Sequence, residues 1–439
     1  MPKLKIVTFG CQANELDSSR IAGVLAKSGY TLTDDEAEAD LVILNGCSIR
    51  EKAEQKLFSR LGTLQTLKSE NPRLRLGVAG CLAQREGAEL LRRFPYLDFV
   101  VGNGEHLAEI PQLLSITSSR SAATSEPVGL FPEDAEIHRD NRFRAWVGIM
   151  EGCDNFCSFC VVPFTRGRER SRRPEDILRE VLALRKRGYR EITLLGQTVN
   201  SYGKKLNPPV AFAELLRRID AAVGGDMRVR FTTSFPMDVT RELAKAMATL
   251  SSVCEHIHLP VQAGSSRTLG RMRRTYTRED YLEKIALLRE AVPDLAITTD
   301  IIVGFPGEDD DEFEETLSLM AQVGFDGCFA FKFSPRSATP AAELPDQVPE
   351  EIKADRLRRV LALQAQLSLE RNRSAIGHRV EVLVDRELEK RESGLGAGRT
   401  RQNKIVHFRG GEMAEGSLAS IEITDATAYH LKGVLIASS

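Results

Sequence analysis

The sequence predicts an α/β protein in three parts: a parallel-sheet domain, a partial (β/α)6 barrel and a small antiparallel β-barrel. The chain has 439 residues, which is too long for one ordinary core and predicts two or three domains. Over the first two parts, apolar strand-like runs alternate with helical stretches, as in parallel sheets that are covered on both faces. Towards the C-terminus the pattern changes to short alternating strands separated by glycines, which is typical of a small β-barrel.

The first part, residues 1–115, contains the elements of a parallel α/β sheet. Predicted strands lie at residues 6–9, 41–44, 74–79 and 98–101, and predicted helices lie at residues 15–27 and 52–67. Residues 116–138 are rich in serine and threonine and then acidic, and we expect them to form a surface linker.

The second part, residues 139–372, has six predicted strands, at residues 145–149, 191–195, 228–232, 256–259, 296–303 and 327–333. The helix after the first strand is clearly delimited, because Pro174 stands at its start and Gly188 follows its end. Six β/α units are too few for a closed eight-fold barrel, so we expect an open partial barrel.

The third part, residues 373–439, follows a charged helix predicted at residues 350–371. Its predicted strands include residues 380–384 and 420–423, and residues 394–398 read as a glycine turn. These short strands predict the small antiparallel β-barrel.

Composition narrows the class of protein. The net charge of -2 gives no global sign of a polyanion partner, so any nucleic-acid surface has to be local. No apolar run reaches the roughly 20 residues needed to cross a bilayer, and the first strand follows the N-terminus without a signal peptide. We therefore expect a cytoplasmic protein without a membrane partner. In that reducing compartment its eight cysteines point to metal or redox chemistry.

Three cysteines form a compact motif directly after the first strand of the second part. Cys153, Cys157 and Cys160 have the spacing C-x3-C-x2-C, which brings three thiolates around one iron–sulfur core. Three ligands on a four-iron cluster leave one iron open to chelate S-adenosylmethionine (SAM). The alternative is a zinc knuckle or a coincidental cysteine-rich loop. Zinc sites usually take four ligands in paired C-x2-C spacing, however, and no fourth ligand lies nearby.

Three further cysteines are dispersed but follow one rule. Cys11, Cys47 and Cys81 each come after a glycine at the end of a predicted apolar strand. The carboxyl ends of parallel strands share one edge, so these thiols can converge on a second cluster. The alternative is three ordinary buried cysteines. Cys254 and Cys328 have no such pattern, and core packing is the better interpretation for them.

These motifs resemble the methylthiotransferases of the radical SAM superfamily, and the resemblance covers nearly the whole chain. The matching segments of the first part are GCQAN at 10–14, NGCSIR at 45–50 and GCLAQ at 80–84. Those of the second part are EGCDNFCSFCVVPFTRGRE at 151–169, LGQTVN at 195–200, HLPVQAGS at 258–265, VGFPGE at 303–308 and SPRSATPAA at 334–342. The third part is similar to a TRAM domain, an RNA-binding module.

The resemblance implies an N-terminal methylthiotransferase domain at 1–115, a radical SAM domain at 139–372 and a TRAM domain at 373–439. It implies two 4Fe-4S clusters, an auxiliary one on Cys11, Cys47 and Cys81 and a SAM-binding one on Cys153, Cys157 and Cys160. Within the family, the cluster loop is most similar to the branch that methylthiolates carbon 2 of N6-isopentenyladenosine at position 37 of tRNA. That reaction uses one SAM as methyl donor and a second as the source of a 5′-deoxyadenosyl radical.

Alternative functions remain open at this point. Other family branches modify threonylcarbamoyladenosine in tRNA or an aspartate of a ribosomal protein. A non-enzymatic alternative is an RNA-binding protein stabilised by zinc on the same cysteines.

The resemblance also places Phe159, Gln197 and Gly304 near SAM, although Gln197 and Gly304 read equally well as turn residues. Arginines crowd the segment after the cluster loop and suit phosphates, so we expect a tRNA-facing patch there. The alternative is an ordinary solvated face of the protein. The patch comprises Arg166, Arg168, Arg170, Arg172 and Arg173. A second candidate patch comprises Arg399, Arg401 and Lys404. The expected partners are the anticodon stem-loop of tRNA, a flavodoxin or ferredoxin as electron donor, and a sulfur source. We expect the protein to be a monomer. No protein residue is assigned a catalytic role beyond the cluster ligands.

Overall fold

The computed structural model describes residues 1–48, 51–116, 120–133, 135–337, 339–389, 395–411 and 413–436. Several sequence-predicted positions lie outside this described part, namely Ile49, Arg50, Ala338, Gly394, residues 117–119 and 134 of the expected linker, and residues 437–439. Among the described residues, no helix combines the length and the apolarity that crossing a membrane requires.

The N-terminal domain is a parallel sheet with helices on both faces. Its strands are β1 (Lys3–Phe9), β2 (Thr31–Leu32), β3 (Leu41–Gly46), β4 (Arg75–Ala79), β5 (Phe99–Val101) and β6 (Ser121–Ala123), in the order β2-β1-β3-β4-β5-β6. Its helices are α1 (Gln12–Lys27), α2 (Glu51–Glu70), α3 (Cys81–Glu86), α4 (Ala88–Arg93) and α5 (Ile110–Ser115). Apolar side chains form a separate core on each face of the sheet, because strands buried on both sides have no solvated face.

The stretch expected to be a surface linker differs from that expectation. Its strand β6 pairs with β5, so it extends the sheet by one strand. Phe131 is buried, and the His138 amide donates to the Ser19 carbonyl on α1 at 3.0 Å. Serine and alanine satisfy a strand at the sheet edge because pairing uses backbone groups, so a polar composition did not exclude a strand here.

The central domain is the expected partial barrel of six parallel strands. These are β7 (Arg144–Gly148), β10 (Glu191–Leu195), β11 (Arg228–Thr232), β12 (His256–His258), β13 (Ala296–Val303) and β14 (Gly327–Lys332). They form two three-stranded sheets, and a bridge between Val229 and Val253 joins them at β11. The surrounding helices are α7 (Pro174–Lys186), α8 (Phe212–Val223), α9 (Arg241–Thr249), α10 (Ser266–Arg271), α11 (Arg278–Ala291), α12 (Asp310–Val323) and α13 (Glu350–Arg373). The predicted α/β class with a partial barrel is confirmed.

A short antiparallel pair interrupts this pattern after β7. It consists of β8 (Met150–Glu151) and β9 (Arg170–Ser171), with the short helix α6 (Val162–Thr165) between them. The pair closes the base of the loop that carries Cys153, Cys157 and Cys160.

The C-terminal domain is a closed five-stranded barrel. Its strands are β15 (Arg379–Val384), β16 (Gly396–Thr400), β17 (Ile405–Arg409), β18 (Leu418–Ala426) and β19 (Leu431–Leu435). All of its pairings are antiparallel except β17 with β19, which is parallel. The prediction of a turn at 394–398 is wrong for Gly396 and Gly398, which lie in β16. A Cβ at Gly398 would lie 2.2 Å from the Leu383 carbonyl oxygen, so the glycine permits close packing of neighbouring strands.

The C-terminal barrel docks onto the amino ends of the central strands. Arg228 Nη1 donates to the Arg399 carbonyl and Arg230 Nη1 to the Arg401 carbonyl, each at 2.7 Å. Arg401 in turn forms a two-pronged ion pair with Glu255, which precedes β12. The docked barrel therefore lies at the end of the partial barrel opposite the cysteine loop.

The Arg230 side chain should be a main stabiliser of this joint. It pairs with Glu191 at 2.8 Å, and both side chains are nearly inaccessible to solvent. Arg230→Met should lower the free energy of unfolding by about 3–5 kcal/mol, because it leaves a buried carboxylate unpaired. Urea denaturation measures the loss.

Arg241→Met is the matched control, since Arg241 is exposed and should change stability by no more than about 0.5 kcal/mol. Adding Glu191→Gln to Arg230→Met should recover part of the loss. A double variant as unstable as the single one would contradict this account.

Candidate functional site

The three dispersed cysteines lie side by side at the carboxyl edge of the N-terminal sheet. Cys11 caps α1 after β1, Cys47 follows β3, and Cys81 begins α3 after β4. Strands β1, β3 and β4 are neighbours in the sheet. The Cys11 and Cys47 thiols are in hydrogen-bonding contact, and Cys81 is close enough to Cys11 for their charges to interact. The fold therefore brings these thiols together from three distant parts of the sequence.

The glycines before these cysteines allow this close packing. A Cβ at Gly10 would lie 2.3 Å from Asn14 Oδ1, and one at Gly80 would lie 2.2 Å from Asn45 Oδ1. The backbone of Gly80 also has a φ of +91°, which side chains larger than hydrogen disfavour. The two asparagines hydrogen-bond to each other at 3.1 Å between the first two strand exits. A buried amide pair thus holds the loops that carry the thiols.

The second set of thiols lies in the loop between β8 and β9, and each of its sulfurs accepts a hydrogen bond. Asn155 Nδ2 donates to Cys153 Sγ and the Val162 amide donates to Cys160 Sγ, both at 3.5 Å. Arg274 Nη1 donates to Cys157 Sγ at 3.3 Å. Hydrogen-bond donors to sulfur stabilise thiolates, and such hydrogen bonds help to set the reduction potential of iron–sulfur clusters. These three thiols and their hydrogen-bond donors therefore fit an iron–sulfur cluster.

Both sets of thiols line one cavity of about 2200 Å³. It extends from the cysteines into the lumen of the partial barrel and reaches Arg399 of the C-terminal barrel. In the described part of the chain the outermost strands, β7 and β14, do not pair with each other, so the lumen is open on that side. The two thiol sets therefore face a common space.

The lumen of the partial barrel is polar with an aromatic edge. His256 and His258 both contact Thr298 Oγ1, at 3.2 and 3.0 Å, and His258 Nε2 lies 3.5 Å from Asp300 Oδ1. Burial, together with the charge of Arg230, lowers the pKa of His256, which keeps its ring neutral. On β14, Phe329 and Phe331 line the same space and are 56% and 39% exposed. Aromatic faces open to a cavity can stack against a nucleobase.

Burial and charge shift the pKa values of individual thiols in opposite directions, even within one set. Contact with Cys47, together with the charge of Arg166, lowers the pKa of the Cys11 thiol to about 5. Burial raises the pKa of Cys81 and raises that of Cys160 to about 12. A metal bound to such a buried thiol would favour its thiolate form. Among the described residues, no group of three or more His, Cys, Asp or Glu side chains could hold a single metal ion.

The residues expected near SAM occupy different positions. Phe159 and Gln197 line the cavity, and Gln197 Oε1 accepts a hydrogen bond from the Gly152 amide at 2.7 Å, next to the cysteine loop. Gly304 does not line it. Its φ is +68°, and a Cβ there would lie 2.3 Å from Lys353 Cγ on α13. The structure therefore gives Gly304 the properties of a turn glycine packed against a helix.

The arginines after the cluster loop do not form one exposed patch. Only Arg168 and Arg173 are exposed. Arg166 is buried and paired with Asp17 of the N-terminal domain at 2.6 Å, so it does not face solvent. Arg170 donates to the Pro127 carbonyl at 2.6 Å, and Arg172 pairs with Glu133 and Glu180. Residues 120–133 supply partners for Arg170 and Arg172, and α1 supplies the partner of Arg166, so these three do not belong to an exposed patch. Their expected role in RNA binding stays a prediction.

The second predicted patch also has protein partners. Arg401 pairs with Glu255 and Lys404 with Asp326, both on the central domain. Arg399 is partly buried, lines the cavity and lies near Arg230. The charges of Arg401 and Lys404 therefore pair across the joint with the central domain, and the expected role of this patch in RNA binding stays a prediction.

Sequence reasoning missed Arg274 and the buried charges Asp17, Arg20 and Glu151. Arg274 contacts a thiol 117 positions away in sequence, and no local pattern indicates such a contact. A signal did exist for Asp17 and Arg20, because opposite charges three positions apart lie on one helical face. That face is polar in sequence but buried in the fold.

Comparison with known proteins agrees with this geometry. Residues 147–320 match the Radical SAM superfamily, residues 3–102 match the Uncharacterized protein family UPF0004, and residues 373–436 match the TRAM domain. A tRNA-2-methylthio-N(6)-dimethylallyladenosine synthase from Carboxydothermus hydrogenoformans is 48% identical over 98% of both chains. One of the same name from Moorella thermoacetica is 46% identical, also over 98% of both.

A solved radical S-adenosylmethionine methyltransferase from Kitasatospora setae has a similar fold, with a TM-score of 0.57 and 14% identity. The likeness covers 78% of this chain and 75% of that one. The resemblance predicted from the sequence motifs is confirmed by these matches. The protein belongs to the methylthiotransferase family of radical SAM enzymes, together with the tRNA-2-methylthio-N(6)-dimethylallyladenosine synthases.

Proposed function

We propose that this enzyme adds a methylthio group to carbon 2 of N6-isopentenyladenosine at position 37 of tRNA. The observation that carries the proposal is the single cavity lined by both thiol sets. A base held there would be within reach of both, as a reaction that activates a carbon and then delivers sulfur to it requires. The names of the full-length relatives support the same reaction.

The residues present fit two 4Fe-4S clusters. Cys153, Cys157 and Cys160 would hold the cluster that binds SAM, and Cys11, Cys47 and Cys81 would hold an auxiliary cluster. When bound, one SAM would be the source of a 5′-deoxyadenosyl radical and a second would donate the methyl group. Phe159 and Gln197 line the cavity that also contains Cys153, Cys157 and Cys160, and they are our candidate SAM contacts. Gly304 would act only by shaping the turn after β13.

The chain's own side chains would bind and orient the base. The open faces of Phe329 and Phe331 offer stacking surfaces, and His258 with Asp300 offers polar partners. A single-stranded loop such as the anticodon loop can present an unstacked base to such a cavity. Arg168 and Arg173, which stay exposed beside the cysteine loop, are our candidate phosphate contacts.

The proposal includes the domain division 1–115, 116–138, 139–372 and 373–439, with the last segment binding RNA. It also includes a cytoplasmic monomer that takes electrons from a flavodoxin or ferredoxin and sulfur from a separate source. The other modified adenosine, the ribosomal aspartate and a zinc-stabilised RNA-binding protein are the competing functions.

A deletion strain tests the substrate directly. Liquid chromatography–mass spectrometry of its tRNA nucleosides should show loss of 2-methylthio-N6-isopentenyladenosine and accumulation of the form without the methylthio group. Complementation with the intact gene is the control. Persistence of the methylthiolated nucleoside, with loss of a different one, would refute the proposed substrate.

Single cysteine variants test the separate roles of the two sets. Cys157→Ala should abolish SAM cleavage, because it removes a ligand of the cluster that binds SAM. Cys47→Ala should retain formation of 5′-deoxyadenosine and lose methylthiolation. Cys328→Ala, a cysteine outside both sets, is the matched control and should retain both activities. Equal loss of cleavage in Cys47→Ala and Cys157→Ala would contradict separate roles.

Metal analysis after anaerobic reconstitution tests the clusters. The intact chain should bind about eight iron atoms, and a chain that lacks one of the two cysteine sets should bind about four. One or two zinc atoms per chain, with no iron, would support the RNA-binding alternative and end the proposal.

A further inference from the structure

Four buried charges cross the joint between the two cysteine-bearing domains. Asp17 and Arg20 lie on α1 of the N-terminal domain, and Glu151 and Arg166 lie on either side of the second cysteine set. Their side chains are between 1% and 7% exposed. No part of the proposed function uses them so far.

The four side chains form one connected network. Arg166 Nη2 donates to Asp17 Oδ2 at 2.6 Å, and Arg20 Nη1 lies 3.3 Å from Asp17 Oδ1. Arg20 Nη1 also donates to Glu151 Oε1 at 2.5 Å. The network therefore runs from the central domain to the N-terminal domain and back.

Each member is close in sequence to a cysteine ligand. The α1 helix that carries Asp17 and Arg20 begins directly after Cys11. Glu151 stands two positions before Cys153, and Arg166 follows α6, just after Cys160. A shift of either cysteine loop would therefore have to break a buried ion pair.

Such a network is a poor choice for stability alone. Burying charges is costly, and apolar replacements of similar size are often as stable as a buried ion network. Its position suggests another role, because it places a cation and an anion beside the first thiol set. Arg166 and Asp17 line the same cavity as Cys11 and Cys81, and the charge of Arg166 lowers the pKa of both thiols. On Cys81 the cation and Asp17 act in opposite directions.

We propose that Arg166 and Asp17 act in opposite directions on the reduction potential of the auxiliary cluster. The guanidinium of Arg166 favours addition of an electron to the cluster, and the carboxylate of Asp17 opposes it. Arg20 and Glu151 link this pair to the loop that carries Cys153. The reduction potential of the auxiliary site is thus set in part by Arg166, a side chain of the other domain. This inference rests on the proposed auxiliary cluster.

The experiment uses the full chain with Cys153, Cys157 and Cys160 replaced by alanine, so that only the N-terminal set can bind a cluster. Dithionite supplies one electron, and electron paramagnetic resonance follows the reduced cluster through a redox titration. Arg166→Met should lower the midpoint potential, because a positive charge near the added electron is lost. Asp17→Asn should raise it, because a negative charge is lost.

Two further variants separate charge from structure. Arg166→Lys keeps the charge and should shift the potential less than Arg166→Met. Arg168→Met removes an exposed cation two positions away and should leave the potential unchanged. Should Arg166→Met lose its iron, the Asp17→Asn shift decides alone, since a structural defect gives no reason for a higher potential.

The outcomes distinguish this inference from the proposed function. Opposite shifts in the two variants support it. A cluster that forms but shows no shift, or shifts in the same direction, overturns the inference and leaves the proposed function standing. Failure of the N-terminal set to bind any iron–sulfur cluster overturns both.

Discussion

Two sets of thiols share one cavity because two parallel sheets direct their carboxyl edges into it. The set of Cys11, Cys47 and Cys81 depends on three strands that end together, whereas Cys153, Cys157 and Cys160 lie on one loop after β8. The loops after these strands are also closely packed. Gly10 and Gly80 have no room for a side chain, and the hydrogen-bonded pair of Asn14 and Asn45 fills the space between the ends of β1 and β3. The geometry of the site thus follows from the sheet order β1-β3-β4, and the short loops only complete it.

The opposite end of the partial barrel imposes a second constraint. Arg228 and Arg230 bind backbone carbonyls of the C-terminal barrel, which covers the amino ends of the central strands. A base therefore has access to the lumen from the side of the clusters or through the gap between β7 and β14. Phe329 and Phe331 lie on β14, beside that gap, and are exposed although they face the lumen. Large exposed aromatics are unusual in a closed core and are expected where a planar ligand stacks.

The sequence was sufficient for the fold because the fold depends on local patterns. Apolar runs of strand length and helices delimited by residues such as Pro174 and Gly188 carry enough information to predict six barrel strands and the α/β class. Strand β6 escaped prediction because its pairing uses backbone groups that serine and alanine supply as well as valine does. Gly396 and Gly398 were assigned to a turn because a close approach between strands leaves no trace in sequence except the glycine itself.

The site was predictable as far as the cysteines and no further. Ligand spacing and strand ends are local features, whereas the partners of a charge are settled by long-range packing. Nothing in the sequence distinguishes Arg166, Arg401 and Lys404 from solvated charges. In the structure each forms an ion pair with a carboxylate of another domain. A cluster of arginines is therefore weak support for an RNA surface where several domains meet.

The two thiol sets also differ in how their cations are balanced. Arg274 donates to Cys157, and its described partners are a thiol, the Tyr276 hydroxyl and the Pro260 carbonyl, with Phe235 and Tyr276 against its face. Arg166 instead has the carboxylate of Asp17 at 2.6 Å. A nearby cation favours a more negative cluster, and a carboxylate next to that cation cancels most of its effect at a distance. Arg274, beside the set that would hold the SAM cluster, thus has no carboxylate among its described hydrogen-bond partners, whereas Arg166, near the auxiliary set, has one. Two sites built from the same three-thiol donor set can in this way differ in reduction potential within one cavity.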